Sequence, residues 1–296
     1  MHSVRRVLTN TIGFLTRCLL ARRHAWQEVS NALETLSGIL GEGKPVLVTG
    51  PAACGKSTLT KQHVYHLATE WMALSASGSD AACVPLLVTV IELAGTIQRL
   101  NLGPDEDILA KHVECMFESN KPLVEFVMRA RDKHQLVVVL DGMDEAGSVR
   151  TVLEPYVADR LSVEVTLLLT GRENGINDMD MFNSFAHFHI QPLNDAQQVQ
   201  IATGRMKLAA VRKGEVTLEE RVAAFMDEVR RSFADVGRTP LLLNLLLSEH
   251  LRHEALDAAI QCDAGFGSDV RLYPPACETE RYDALFVNER LGASNS

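Results

Sequence analysis

A chain of 296 residues, 46% of them hydrophobic, is long enough for one large α/β domain or for such a domain with a smaller companion. Its net charge of −9 argues against broad, sequence-independent nucleic-acid binding, which needs a dense field of Lys and Arg to displace counterions, so no nucleic-acid partner is expected. No run of about 18 apolar residues is present to span a membrane, and Cys18, Cys54, Cys83, Cys115, Cys262 and Cys277 lack disulfide or zinc spacing, which reads as a reducing, cytoplasmic setting.

Residues 1–23 read as a basic amphipathic segment. Arg5, Arg6, Arg17, Arg22 and Arg23 precede the first acidic residue, Glu28, and Val4, Leu8, Ile12, Leu15 and Leu19 recur at helical spacing. That composition suits an organelle-targeting segment or, more plainly, a helix docked on the domain or on a neighbour. Trp26, Val29, Leu33, Leu36 and Leu40 continue in steps of three and four, predicting an amphipathic helix that ends at Gly41-Glu42-Gly43. Val46-Leu47-Val48 is a buried strand.

Directly after it stands Gly50-Pro51-Ala52-Ala53-Cys54-Gly55-Lys56-Ser57-Thr58, which fits G-x-x-x-x-G-K-[ST] between a strand and a helix, the context that pattern requires. Backbone N–H groups of such a loop converge on phosphates, and the helix opening at Gly55 turns its positive end toward them. Lys56 adds a point charge near the outer phosphates, and the Ser57 hydroxyl is placed to ligate Mg2+. A nucleoside triphosphate is the expected ligand of residues 50–58. Ala53 occupies a position where a third glycine is common. Cys54 lies at a helix N-terminus, where thiol pKa values fall, although a small residue that fits the loop is the simpler reading.

A Ser/Gly/Ala stretch at 75–82 reads as a loop, 85–90 as a buried strand, and 105–119 and 122–133 as helices. Two apolar runs follow at 136–140 and 163–169. Their hydrophobicity is continuous, as in strands of a parallel sheet covered on both faces. A fifth run, 185–190, completes the sheet; His187 and His189 share a face there but lack a third ligand, so ordinary strand residues are preferred to a metal pair. Beyond Pro192 the pattern is helical, with Asn194 and Gln197 as one cap and Thr217 with Glu220 as a capping box. Leu218, Val222, Phe225, Val229 and Phe233 line one face of the helix it opens. Residues from about Asp263 to Glu278 are rich in Gly, Pro and small polar types, and 261–296 reads as a loop or poorly ordered tail, or, from Arg281-Tyr282-Asp283-Ala284-Leu285-Phe286-Val287, as the start of a next domain.

The expected fold is thus α/β: a three-layer P-loop NTPase fold with a mainly parallel five-stranded sheet at 24–205, then a small all-helical domain at 206–260. Val137-Val138-Val139-Leu140 delivers Asp141 to a strand end, the expected Mg2+ partner of Ser57, and Gly142 leaves room beside the phosphates. Asp144 or Glu145 can then polarise the attacking water. Arg172, at the tip of its strand, can reach the terminal phosphate.

The string Leu140-Asp141-Gly142-Met143-Asp144-Glu145 resembles the Walker B segment of NACHT domains, within the STAND class of P-loop NTPases. Leu167-Leu168-Leu169-Thr170-Gly171-Arg172 is similar to that family's sensor strand, which usually ends Thr-Ser-Arg, and Thr239-Pro240-Leu241-Leu242-Leu243 resembles its proline motif. Across residues 25–255 the resemblance implies an NLR-like signalling switch. It implies that ATP and ADP are the ligands, that Mg2+ is the metal, and that hydrolysis is slow and resets conformation and oligomerisation. It also implies partners in self-association or among signalling proteins, and places Pro240 near the adenine. A winged-helix domain and repeat array would normally follow, so a truncated chain is expected. Two alternatives stand beside this reading: a nucleotide-binding scaffold with negligible turnover, and a general AAA-like P-loop ATPase. A small-molecule kinase is disfavoured, because nothing supplies an arginine-bearing lid.

Overall fold

The computed structural model describes residues 18–22, 25–29, 31–77, 83–176, 179–208 and 216–263, with side chains over 31–255 of these. The chain divides into two units, Met1–Leu251 and Arg252–Ser296. The first unit is built on five parallel strands, β3 (Val46–Thr49), β4 (Val84–Thr89), β5 (Leu136–Asp141), β6 (Thr166–Gly171) and β7 (Ala186–Ile190), arranged β7-β3-β6-β5-β4. This is the α/β P-loop fold expected from the continuous apolar runs.

The N-terminal expectation is corrected. Where the apolar spacing of Leu19, Trp26 and Val29 predicts helix, β1 (Cys18–Arg22) and β2 (Ala25–Val29) form an antiparallel hairpin, and β1 pairs antiparallel with β7, Cys18 opposite Ile190. Helix α1 (Ala32–Gly41) therefore begins six residues after Trp26, capped by Asn31, whose side chain accepts from Glu34 N. Backbone pairing along the edge of β7 satisfies a ladder of donors and acceptors, and this outweighs the apolar three–four spacing of Trp26, Val29 and Leu33. Residues 1–17, which carry the rest of the basic segment, lie outside the described residues.

Other boundaries shift by a few residues. The helix read at 105–119 is α4 (Ile108–Met116), opened by Asp107, and that at 122–133 is α5 (Lys121–Asp132), opened by Asn120. Val90 leaves the strand read at 85–90 to start α3 (Val90–Leu100), because Thr89 caps that helix. The strand read at 163–169 starts at Thr166, since Ser162–Glu164 still belongs to a helical segment that begins with α6 (Arg150–Pro155) and passes through a π turn at Tyr156–Leu161.

Helix α2 (Lys56–Ala76) follows β3. Val46, Leu47 and Val48 are fully buried between two apolar clusters, one holding Leu93, Ile108, Leu140 and Tyr156, the other Leu36, Leu59, Val139 and Phe188. Each such side chain contributes about 1.5–3 kcal/mol by leaving water, and the double-sided burial accounts for their unbroken hydrophobicity. Among α7 (Asp195–Leu208), α8 (Leu218–Ser232) and α9 (Pro240–Asp263) lies a third cluster around Phe225, Met226 and Leu243. The Thr217–Glu220 capping box opens α8, and Asn194 and Gln197 exchange bonds of 2.9 and 3.0 Å at α7. Phe233, read as part of the α8 face, is exposed instead.

Candidate functional site

Parallel strands carry their C-terminal ends to one edge of the sheet, and in open α/β sheets that edge is where ligands bind. Here the order β3-β6-β5 sets three of the predicted segments side by side. Thr49 pairs with Gly171, so Arg172 stands one residue beyond that pair, beside the start of the Gly50–Thr58 loop; Leu140 pairs with Leu169, which brings Asp141 next to Thr170.

The loop enters α2 through Gly55, whose φ of 103° lies where side chains are strained. Ala53 also adopts a positive φ, 61°, so the backbone takes at this position the turn a third glycine would favour. Lys56 Nζ donates to the carbonyls of Gly50 and Pro51, both at 2.9 Å, which folds the ammonium over the loop. Helices α1, α3, α4, α5 and α8 are capped by side chains of Asn31, Thr89, Asp107, Asn120 and Thr217, whereas α2 has no side-chain cap. Its first-turn N–H groups, which have no intrahelical acceptors, are left for an anion. Cys54 is buried, and burial pushes its thiol up against the opposing pull of Lys56; a packing residue fits this better than an oxidant-sensitive thiolate.

At the end of β5, Asp141 Oδ1 accepts from Thr170 Oγ1 at 2.6 Å, and the same hydroxyl accepts from Gly142 N at 2.9 Å. The threonine thereby fixes the carboxylate and the turn after it, a role that the sequence reading did not assign. Asp144 is held twice by Arg172: Oδ2 lies 2.9 Å from the guanidinium Nε, and Oδ1 accepts from the Arg172 backbone N at 3.1 Å. Arg150 Nη2 donates to the Asp144 carbonyl at 3.0 Å. Glu145 is exposed, and no hydrogen bond or ion pair to its carboxylate is present among the described residues. Of the two predicted bases, Asp144 is thus engaged and Glu145 is free.

Gly175 closes this arrangement from behind. A Cβ there would lie 2.1 Å from Asp144 Cβ and 3.0 Å from its Cα. Gly175→Ala is accordingly expected to lower stability by about 1–3 kcal/mol through overpacking, read as a shift in the urea midpoint; an unchanged midpoint would show that the turn yields freely.

On the other side of β3, Glu173 Oε1 lies 2.7 Å from His189 Nδ1 on β7, and Thr49 Oγ1 is 3.2 Å from the same nitrogen. His187 Nε2 instead lies 2.7 Å from the Phe182 carbonyl, so the two histidines have separate partners. The residue after Arg172 thus reaches across the base of the loop. Pro240 begins α9, and the carbonyl of Arg238, two residues before it, accepts from Leu193 N at 2.8 Å. Arg238 also lines an open cleft of about 600 Å3 with Gln191, Pro192, Asn194 and Asp195. Pro240 is not among the residues lining that cleft.

Residues 19–169 match the family model described as the AAA ATPase domain. No curated protein matches the chain. Among solved structures it is similar to C. elegans PCH-2, at 13% identity and a TM-score of 0.39, over 75% of this chain and 67% of that one. It is also similar to the Aeropyrum pernix ORC1 protein in complex with DNA, at 15% identity and a TM-score of 0.48, over 78% and 65%. AMPPCP-bound DnaA from Aquifex aeolicus gives 10% identity and a TM-score of 0.40, over 80% and 69%. The chain spans about two thirds of the length of each.

Proposed function

This chain belongs to the AAA ATPase domain family, and from that premise we propose that it is an ATP-binding switch of the NACHT type, in which slow Mg2+-dependent hydrolysis controls conformation and self-association. The observation that carries the reading is the convergence, at one sheet edge, of an uncapped helix start, a strand-end carboxylate, a free carboxylate and an arginine. The NACHT assignment rests further on the acid-rich segment Asp141–Glu145 and on the Thr239-Pro240 motif at the start of α9.

In this reading Lys56 and the loop N–H groups bind the phosphates, and Pro240 packs near the adenine. Ser57 and Asp141 would hold Mg2+: a hydroxyl and a carboxylate are hard oxygen donors, and Thr170 engages Oδ1 of Asp141 and orients the carboxylate. When bound, the ion would neutralise charge on the phosphate oxygens. Glu145 takes the proton of the attacking water, since its carboxylate is unengaged, and Arg172 contacts the terminal phosphate.

Lys56→Ala tests the assignment. Losing the ammonium is expected to weaken ATP binding by about 2–5 kcal/mol, roughly thirtyfold or more, and to abolish Mg2+-dependent turnover by the purified chain. Turnover that survives the substitution would overturn the reading. Bound nucleotide without turnover in the wild type would replace the switch by a scaffold.

A further inference from the structure

We infer that Asp144 is a positioning residue for Arg172, seating the guanidinium so that its two terminal nitrogens are presented as a fork to the γ-phosphate of ATP. The inference rests on the proposed ATP-binding function and names a role within that site.

The seat is formed by several independent contacts. Arg172 meets Asp144 through its Nε and its own backbone N, at 2.9 and 3.1 Å, so that both carboxylate oxygens are used on one residue. This fixes the strand end and the side chain together. Asp144 is itself immobilised: its carbonyl accepts from Arg150, and Gly175 abuts its Cα and Cβ so closely that no side chain fits between. The Asp144 side chain is 11% exposed, which lessens solvent screening of the pair, while the Arg172 side chain is 55% exposed.

Pairing through Nε differs in consequence from pairing through the tip. A guanidinium is a rigid plane with five donors, and a carboxylate on Nε fixes the orientation of that plane. Nη1 and Nη2 of Arg172 have no partner among the described residues. They lie on the side chain that stands one position beyond the Thr49–Gly171 pair, next to the phosphate loop. Two parallel N–H donors match the geometry of a phosphate, and a fork held in place beforehand loses less freedom on binding than a mobile one. ADP has no γ-phosphate to receive that fork, so the seat acts on the difference between the two nucleotides.

The test is a double-mutant cycle on the full chain, with Kd for ATP and for ADP measured by calorimetry in Mg2+. The proteins are the wild type, Asp144→Asn, Arg172→Ala and the double variant, with melting curves recorded alongside. Asp144→Asn is expected to lower the ATP-to-ADP affinity ratio by about tenfold, Arg172→Ala by at least as much, and the double variant no further than Arg172→Ala. Arg172→Lys, which keeps the charge without the fork, should resemble Arg172→Ala. A ratio unchanged in Asp144→Asn, or effects that multiply in the double variant, would overturn the inference while leaving ATP binding in place. Loss of turnover in Asp144→Asn at an unchanged ratio would make Asp144 the base instead. Failure of the wild type to bind either nucleotide would overturn the proposed function, and this inference with it.

Discussion

Glu145→Gln is expected to slow Mg2+-dependent ATP hydrolysis by about 10²–10⁴-fold while leaving nucleotide affinity unchanged, because the amide cannot take a proton from the attacking water. The geometry behind this is a tight turn. Glu145 N donates to the Gly142 carbonyl at 2.8 Å, and Gly142 adopts a φ of 91°, so the chain reverses immediately after Asp141. A side chain at residue 142 would place its Cβ 3.0 Å from Glu145 Oε2; glycine therefore lets the second carboxylate sit close to the strand end. Single-turnover hydrolysis with ATP, alongside a binding isotherm, separates the two quantities. Turnover that persists at the wild-type rate would remove Glu145 from the mechanism.

Acid should destabilise the chain through His63. This residue lies on α2, is 1% exposed, and neither ring nitrogen has a hydrogen-bond partner among the described residues. Burial, assisted by the nearby His66, pushes its pKa down from 6.5 to about 4. Between those values the unfolded chain binds a proton that the folded chain excludes, so stability rises with pH across the window. The contribution is fully present above about pH 6.5 and is lost as pH falls toward 4, by roughly 3 kcal/mol in total. Urea midpoints at pH 4.5 and 7 should show this loss in the wild type and a smaller one in His63→Leu, which also removes two unsatisfied polar atoms. Equal losses in both proteins would place the acid sensitivity elsewhere.

The central strands and the phosphate loop were legible because their signals are local. Val46-Leu47-Val48 before Gly50–Thr58, and Val137–Leu140 before Asp141, declare strand, turn and chemistry within a few residues of each other. The hairpin at Cys18–Val29 was not, since its pairing partner is β7, more than 160 residues away, and its apolar residues happen to fall at helical steps. The division of labour between Asp144 and Glu145 was hidden for a similar reason. Adjacent acids look alike in a sequence, and only the placing of β6 between β3 and β5 brings Arg172, 28 residues on, to one of them. Thr170 lies in the sensor-strand match, but its bond to Asp141 depends on the pairing of β6 with β5, which the motif does not state. His63 follows Leu59 by four residues and shares its buried face, so its burial could have been read from the helix period.

The hairpin also decides which backbone the sheet offers to the outside. With β1 laid along β7, the strand that carries His189 is paired on both sides, and β2 becomes the outermost strand on that side among the described residues. Open strand edges are the places where another chain can add itself by main-chain hydrogen bonding. Any such strand addition on this side is displaced two strands outward from the strand whose His189 is paired with Glu173, so a partner could be gained or shed there without breaking the ladder that holds β7 beside the phosphate-loop strand.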